Sequence, residues 1–335
     1  MRVWLKQGVV GLLTGVVLIT AWAAWWSWRD LPLRSPTVEL AIEPGTPVRQ
    51  IAEQVNAAGV EVSPRLLYWM LRLSGQSRQI RAGNYEITPG VSAWQLLQKL
   101  ARGEESLQAV MLIEGWTWRQ WRAALDKAEF LRHDTRDLTD AELARRLGLA
   151  PEALEGRFYP DTYTYGKGSS DLKLLQRAQR AMDRQLSTVW KQRAENLSIT
   201  DIEQARILAS LIEKETGRAS DRAMISSVFH NRLRLGMPLQ TDPTVIYGMG
   251  PRFDGNLRRH DLRTDHPWNT YTRIGLPPTP IAMPGKGSLV AAVQPARSRA
   301  LYFVARGDGS SEFSENLDQH NQAVDQFQRS KRRAQ

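Results

Sequence analysis

From Gly8 to Trp26 the chain runs nineteen residues without a charge. At 1.5 Å of rise per residue, a helix of that length reaches about 28 Å, enough for the hydrocarbon core of a bilayer. Arg2, Lys6 and the terminal amine precede the stretch, and Arg29, Asp30 and Arg34 follow it, so the flanking charge favours an inside N-terminus by a small margin. Trp22, Trp25, Trp26 and Trp28 gather at the far end, where interfacial aromatics belong. The competing reading, a cleaved signal peptide with Ala21-Trp-Ala23 as its cleavage site, fits less well because the stretch exceeds a typical signal-peptide apolar region. The expectation is a cytoplasmic N-terminus over 1–7, a transmembrane anchor over 8–27 and a linker over 28–36. The rest would lie on the periplasmic side of an inner membrane crossed once.

Charge and cysteine content narrow what the remainder can do. A formal charge of +10 favours polyanionic partners, nucleic acid first among them. Here the basic residues are scattered through helices and loops with no helix-turn-helix, zinc-finger or RNP-like pattern, so a solvated positive surface is expected and no nucleic-acid partner. Cysteine is absent, which excludes disulfides, thiolate metal sites and a cysteine nucleophile. His260, Asp261, Asp265 and His266 lie within seven residues, but their order matches no familiar zinc motif. No G-x-S-x-G elbow supports a serine nucleophile. Neither a metal nor a cofactor is expected.

After the linker, alternating apolar residues predict a strand over Val38–Ile42. Pro44-Gly45-Thr46 turns the chain, and Val48, Ile51, Ala52 and Val55 keep helical spacing. A second helix is expected over Pro64–Leu73, a strand within Gly83–Gly90 and a third helix over Val91–Leu100. A strand, a Gly-Thr turn and a helix opening on an apolar residue resemble the LysM glycan-binding module, though the segment before the second strand is longer than LysM normally has. The module is placed at 37–103; a plain α+β spacer is the competing reading. Beyond it, 104–335 reads as one larger region. It has a strand at Val110–Ile113, helices over Thr117–Ala128, Thr139–Leu147, Asp171–Arg193 and Ala219–Leu235, and a hairpin around Gly307-Asp-Gly309 before a terminal helix from about Glu315. The Trp116, Trp118, Trp121 set has mixed spacing that suits packing better than a sugar platform. Leu154–Tyr163 is aromatic-rich and suits a cleft wall, and about fifty residues from Gly236 to Gly287 lack strong periodicity, which is unusual unless the segment is functional.

Within this region Ala209-Ser-Leu-Ile-Glu-Lys-Glu-Thr-Gly217 closes a helix. Leu208, Leu211 and Ile212 precede Glu215 by seven, four and three positions, so the four share one face. Glu213 lies about 200° away around the axis. Desolvation on the apolar face disfavours the ionised carboxylate, and a carboxyl that stays neutral near pH 7 can protonate a leaving oxygen. The competing reading is a surface glutamate that ends the helix, since Glu is seldom buried. Periodicity alone leaves both open.

Several segments taken together resemble a known family. Glu213-Lys-Glu-Thr216, Asn231-Arg-Leu233, Leu239-Gln-Thr-Asp-Pro-Thr-Val-Ile-Tyr247, Asn269-Thr-Tyr-Thr272, Gly275-Leu-Pro-Pro278 and Pro284-Gly285 look like the MltG (YceG-like) endolytic murein transglycosylases. The likeness spans nearly the whole chain, including the anchor and Phe158-Tyr-Pro-Asp-Thr162. It implies an α+β chain: a transmembrane helix, a LysM-like module and a mainly helical, lysozyme-like catalytic domain with small β elements. In related soluble lytic transglycosylases the catalytic glutamate is followed by a serine, a pattern that Glu215-Thr216 fits and Glu213-Lys214 does not.

The resemblance also implies the chemistry. The β-1,4 bond between N-acetylmuramic acid and N-acetylglucosamine in peptidoglycan would be cleaved without water, leaving 1,6-anhydro ends that trim or terminate nascent strands. Ordinary glycosidases use two carboxylates; here Asp161, Asp242 and Asp265 fall in expected loops and none is singled out. One glutamate therefore serves as acid and then base. Thr216, Gln240, Asn269 and Tyr271 are candidates to hold substrate and Tyr247 to stack on it, each with loop-folding as the competing role. Peptidoglycan strands and the membrane are the expected partners, with peptidoglycan synthases (penicillin-binding proteins) suggested by the family. The alternative function is an inactive peptidoglycan-binding scaffold.

Overall fold

The computed structural model describes residues 2–151 and 154–329 and divides into two compact units, 1–108 with 164–169 and 109–163 with 170–335. In the first unit, α1 (Arg2–Trp28) leads to β1 (Val38–Ile42), α2 (Val48–Ala58), α3 (Pro64–Leu73), β2 (Gly83–Ile87) and α4 (Ala93–Arg102). β1 and β2 pair antiparallel with Val38 opposite Ile87 and Leu40 opposite Tyr85, so the apolar alternation of β1 faces the core. Ser92 and Gln95 form a capping box that starts α4 two residues after the expected helix opening.

The last turn of α1 belongs to this core. Trp26 is 5% exposed among Leu31, Ile87, Leu96 and Leu97, and Trp28 stacks on Trp94 at 6.3 Å. Further back along the helix Leu13, Val16, Val17, Leu18, Ile19 and Trp22 are exposed. Among the residues whose side chains are described, no helix is long and apolar enough to cross a membrane. The side chains of Arg2, Lys6, Gly8–Val10 and Leu12, which carry part of the expected span and its basic flank, lie outside those residues, as do Met1 and Gln335.

β3 (Leu107–Leu112) pairs with β4 (Asp161–Gly166). The remaining elements are α5 (Trp118–Lys127), α6 (Asp140–Arg146), α7 (Asp171–Lys191), α8 (Ile202–Glu215), α9 (Arg222–Arg234), α10 (Asp242–Met249), α11 (Arg259–Arg263) and α12 (Lys286–Val293). The hairpin β5 (Tyr302–Ala305) and β6 (Ser311–Ser314) follows, and then α13 (Leu317–Val324). α8 is the axis of the second unit, packed by α7, α9, α10 and α12. Its Leu208, Ala209, Leu211 and Ile212 are wholly buried against Met182, Phe229, Leu289 and Ala292. Trp118 and Trp121 pack on Phe158 at 5.3 and 5.8 Å, the core role expected of that tryptophan set.

The structure corrects the sequence reading at three places. The aperiodic stretch after Gly236 contains α10 and α11, and it ends where α12 begins. α12 is buried on nearly all sides, at Ser288, Leu289, Ala291, Ala292 and Val293, so it has no amphipathic stripe to reveal it. β4, placed in a cleft wall by its aromatics, is a strand because Tyr163 and Tyr165 alternate inward. Gly156 precedes it at φ +73°, where a Cβ would come within 2.6 Å of Pro280.

Candidate active site

α8 begins with the Asp201 side chain accepting from Gln204 N at 2.9 Å and ends at Glu215, where Thr216 turns extended (φ −150°, ψ 135°). This break leaves Glu215 half-buried at the end of α8. Its Oε1 accepts the Thr241 hydroxyl. Burial pushes its pKa up to about 7; the Asp242 charge adds to the rise, while the Thr241 bond and Arg232 oppose it. A group with that pKa can give and take a proton at neutral pH.

Burial alone does not separate the two glutamates of α8. Arg206 and Ser210, on the other side of the helix, are as buried as the leucines, and the Glu213 side chain is 6% exposed. Partners separate them. Glu213 accepts from Gly285 N at 2.9 Å and faces the Arg222 guanidinium at 3.9 Å, so its partners are a backbone amide and a cation. Glu215 has a hydroxyl for a partner and an anionic neighbour.

α10 supplies the other half of the site. Thr241 is its N-cap, and Asp242-Pro243 opens the helix. Thr241 N donates to Thr270 Oγ1 at 3.1 Å and Thr244 Oγ1 lies 2.9 Å from the same atom, so a buried hydroxyl cluster fixes the residue that holds Glu215. Tyr271 donates its hydroxyl to Asp242 Oδ1 at 2.5 Å and lies within reach of the Glu215 charge. Burial, Asp242 and the Glu215 charge all push its pKa up.

The other sequence candidates take structural positions. Asn269 is wholly buried; its amide donates to the carbonyls of Leu262 and Thr264 and its oxygen accepts from Tyr271 N, so its side chain is committed to shaping the loop. Gln240 is exposed at φ +52°, with its N–H on Thr270 O and its Oε1 accepting from Arg232. Thr216 Oγ1 accepts from Arg218 N at 3.0 Å, capping the chain after α8. Tyr247 is no open stacking platform: it meets Trp268 edge-on at 5.6 Å and hydrogen-bonds Glu155.

Sequence reasoning missed Thr241, Asp242 and Glu155. The Thr-Asp-Pro helix-start signal marks the first two; no local signal marks Glu155. Its 7%-exposed carboxyl accepts from Trp118 N at 3.0 and 3.1 Å. Burial pushes its pKa up to about 7 against these bonds. Among the described residues no group of three or more His, Asp or Glu could hold a metal ion. Asp265 of the His/Asp cluster pairs with Arg273 at 2.9 Å.

Two carboxyls raised from an ordinary 4.5 to about 7 make stability depend on pH. Between those values the folded chain binds more protons than the unfolded one, so the stabilisation is present below about 4.5 and is lost as pH rises through 7. The loss is on the order of 3 kcal/mol per group. Melting curves from pH 5 to 8 should fall more steeply for wild type than for Glu155→Gln or Glu215→Gln. Parallel curves would contradict the buried-acid assignment.

The comparisons with known proteins now decide the family. A model of the YceG-like family matches residues 40–326. The chain belongs to the YceG-like family. It is 30% identical over 312 residues to a Bacillus subtilis protein named endolytic murein transglycosylase, covering 88% of this chain and 86% of that one. A Streptococcus pneumoniae protein of the same name is 26% identical over 329 residues, and this YceG-like chain spans 59% of its length. A crystal structure of a YceG-like protein from Listeria monocytogenes is 28% identical with a TM-score of 0.51, covering 86% of this chain and 98% of that one.

Proposed function

We propose that this chain is a membrane-anchored peptidoglycan lytic transglycosylase that cuts within glycan strands and leaves 1,6-anhydro-N-acetylmuramic acid ends. The observation that carries the reading is Glu215, a carboxyl of pKa about 7 at the end of α8, in a chain whose relatives are named endolytic murein transglycosylases. Glu215 protonates the glycosidic oxygen as its bond to the anomeric carbon breaks. The resulting carboxylate then takes the proton from the muramyl C6 hydroxyl as that oxygen bonds to the anomeric carbon. Water enters nowhere, and the proton returns to Glu215 at the end of the cycle. An inactive scaffold gives no reason for a buried acid held by the Thr241 hydroxyl.

The anchor reading is supported by the exposed apolar surface of α1 from Leu13 to Trp25 and by the length of the uncharged stretch. The β1-α2-α3-β2 order with antiparallel strands supports the LysM-like reading of residues 37–103. Peptidoglycan synthases at the same membrane remain proposed partners.

Purified sacculi digested with the full chain in detergent should release anhydro-ended fragments by mass spectrometry. Reducing ends carrying water would overturn the reaction class. In fractionated cells the full chain should sediment with membranes. A chain starting at residue 22, which keeps Trp26 and Trp28 for the first core, should be soluble and active; full-length protein in the soluble fraction would overturn the anchor.

A further inference from the structure

Glycosidases that use one carboxyl as acid commonly keep a second, ionised carboxylate close by. The sequence offered none, yet folding brings Asp242 next to Glu215. Thr241, whose hydroxyl bonds Glu215, is its immediate neighbour, and Asp242 is exposed where Glu215 is half-buried. Its Oδ1 is fixed by the Tyr271 hydroxyl at 2.5 Å, and it occupies the first position of α10, where the helix dipole favours negative charge.

We propose that Asp242, clamped by Tyr271, is the second carboxylate of the site, a positioning residue that acts through Glu215 by holding a fixed negative charge beside it. The proposal rests on the transglycosylase reading and deepens it. In the resting state the neighbouring charge keeps the proton on Glu215, so that the acid is loaded at neutral pH. After the proton leaves, the same repulsion makes the Glu215 carboxylate a stronger base towards the C6 hydroxyl. One residue thereby assists both halves of a one-glutamate cycle, with no bond made to Asp242 itself.

The ionisable groups acting on Glu215 are Asp242 from α10, Arg232 from α9 and Tyr271 from the loop after α11. Arg232 works in the opposite direction, but its guanidinium already donates to the carbonyls of Pro238, Leu239 and Leu301 and to Gln240 Oε1. Among the described residues Asp242 pairs with no cation and is held by the Tyr271 hydroxyl, so its charge remains available to Glu215.

The test uses the full chain in detergent, with 13C-labelled glutamate and Glu215→Gln to identify the Glu215 carboxyl signal. Asp242→Asn should lower the titration midpoint of Glu215 by about one pH unit. The alkaline limb of kcat for anhydro-product formation should move with it. At neutral pH kcat should fall by roughly 10- to 100-fold while KM stays within about threefold. Tyr271→Phe, which removes a single hydroxyl, should move both quantities the same way by less. The double variant should be no worse than Asp242→Asn alone. An unmoved midpoint in Asp242→Asn and Tyr271→Phe, or single effects that multiply in the double variant, would overturn the proposal. A midpoint that moves in Asp242→Asn while the wild-type chain makes no anhydro ends would support the pairing and overturn the transglycosylase reading, so the two failures are distinguishable.

Discussion

Glu215→Gln is expected to abolish anhydro-product formation, by at least about a thousandfold, while the fold persists. The amide keeps the shape and can still accept the Thr241 hydroxyl, but it can neither deliver a proton to the glycosidic oxygen nor recover one from the C6 hydroxyl. At pH 8 the variant should melt at or above the wild-type temperature, because it removes a carboxyl that the folded state prefers to keep neutral. Glu213→Gln should show the reverse pattern. It weakens the tie to Arg222, lowering the melting temperature, and leaves catalysis within about tenfold. Digestion of sacculi beside thermal melting separates the two, and equal loss of activity in both variants would remove Glu215 from its assigned role.

Arg232→Ala should give the largest loss of stability. The side chain is 7% exposed, donates to three backbone carbonyls and Gln240, and lies 5.1 Å over the Tyr302 ring. Truncation strips buried carbonyls of their donor and opens a cavity, a loss of about 3–5 kcal/mol. For a domain of this size that corresponds to a fall of roughly 8–15 °C in Tm. Because two of these carbonyls, those of Pro238 and Leu239, belong to the segment leading into Thr241, activity at permissive temperature should fall as well. Arg232→Lys should recover little, since an ammonium cannot match the planar fork that meets Leu301 on one side and Pro238 and Leu239 on the other. A shift below about 3 °C in calorimetry would show that water replaces the lost donors.

What the chain alone determined is mostly local. The first-unit strands and helices were legible because β1 alternates inward and outward and α2 and α4 carry strong apolar stripes ended by left-handed Gly59 and Gly103. The phase of Glu215 on α8 was legible too, because it follows from 3.6 residues per turn, but phase alone does not set it apart from Glu213. Buried, featureless elements were not legible. α12 turns almost no face to water, so its sequence carries little contrast between sides, and α10 spans only eight residues.

Tertiary structure alone decided which side chains meet. Asn269 carries the same amide chemistry whether it grips a sugar or three loop carbonyls, and the wrapping of 261–271 around it settled the second use. Glu155 became a buried acid because Trp118 and Tyr247, 37 and 92 residues away, close over it. Glu213 and Glu215 differ through partners brought from Arg222, Gly285 and Thr241, not through the helix face that periodicity assigns. Side-chain type and helical phase are properties of the nearest few residues. Hydrogen-bond partners and the charge beside a carboxyl come from contacts between distant segments, and those exist only once the chain has folded.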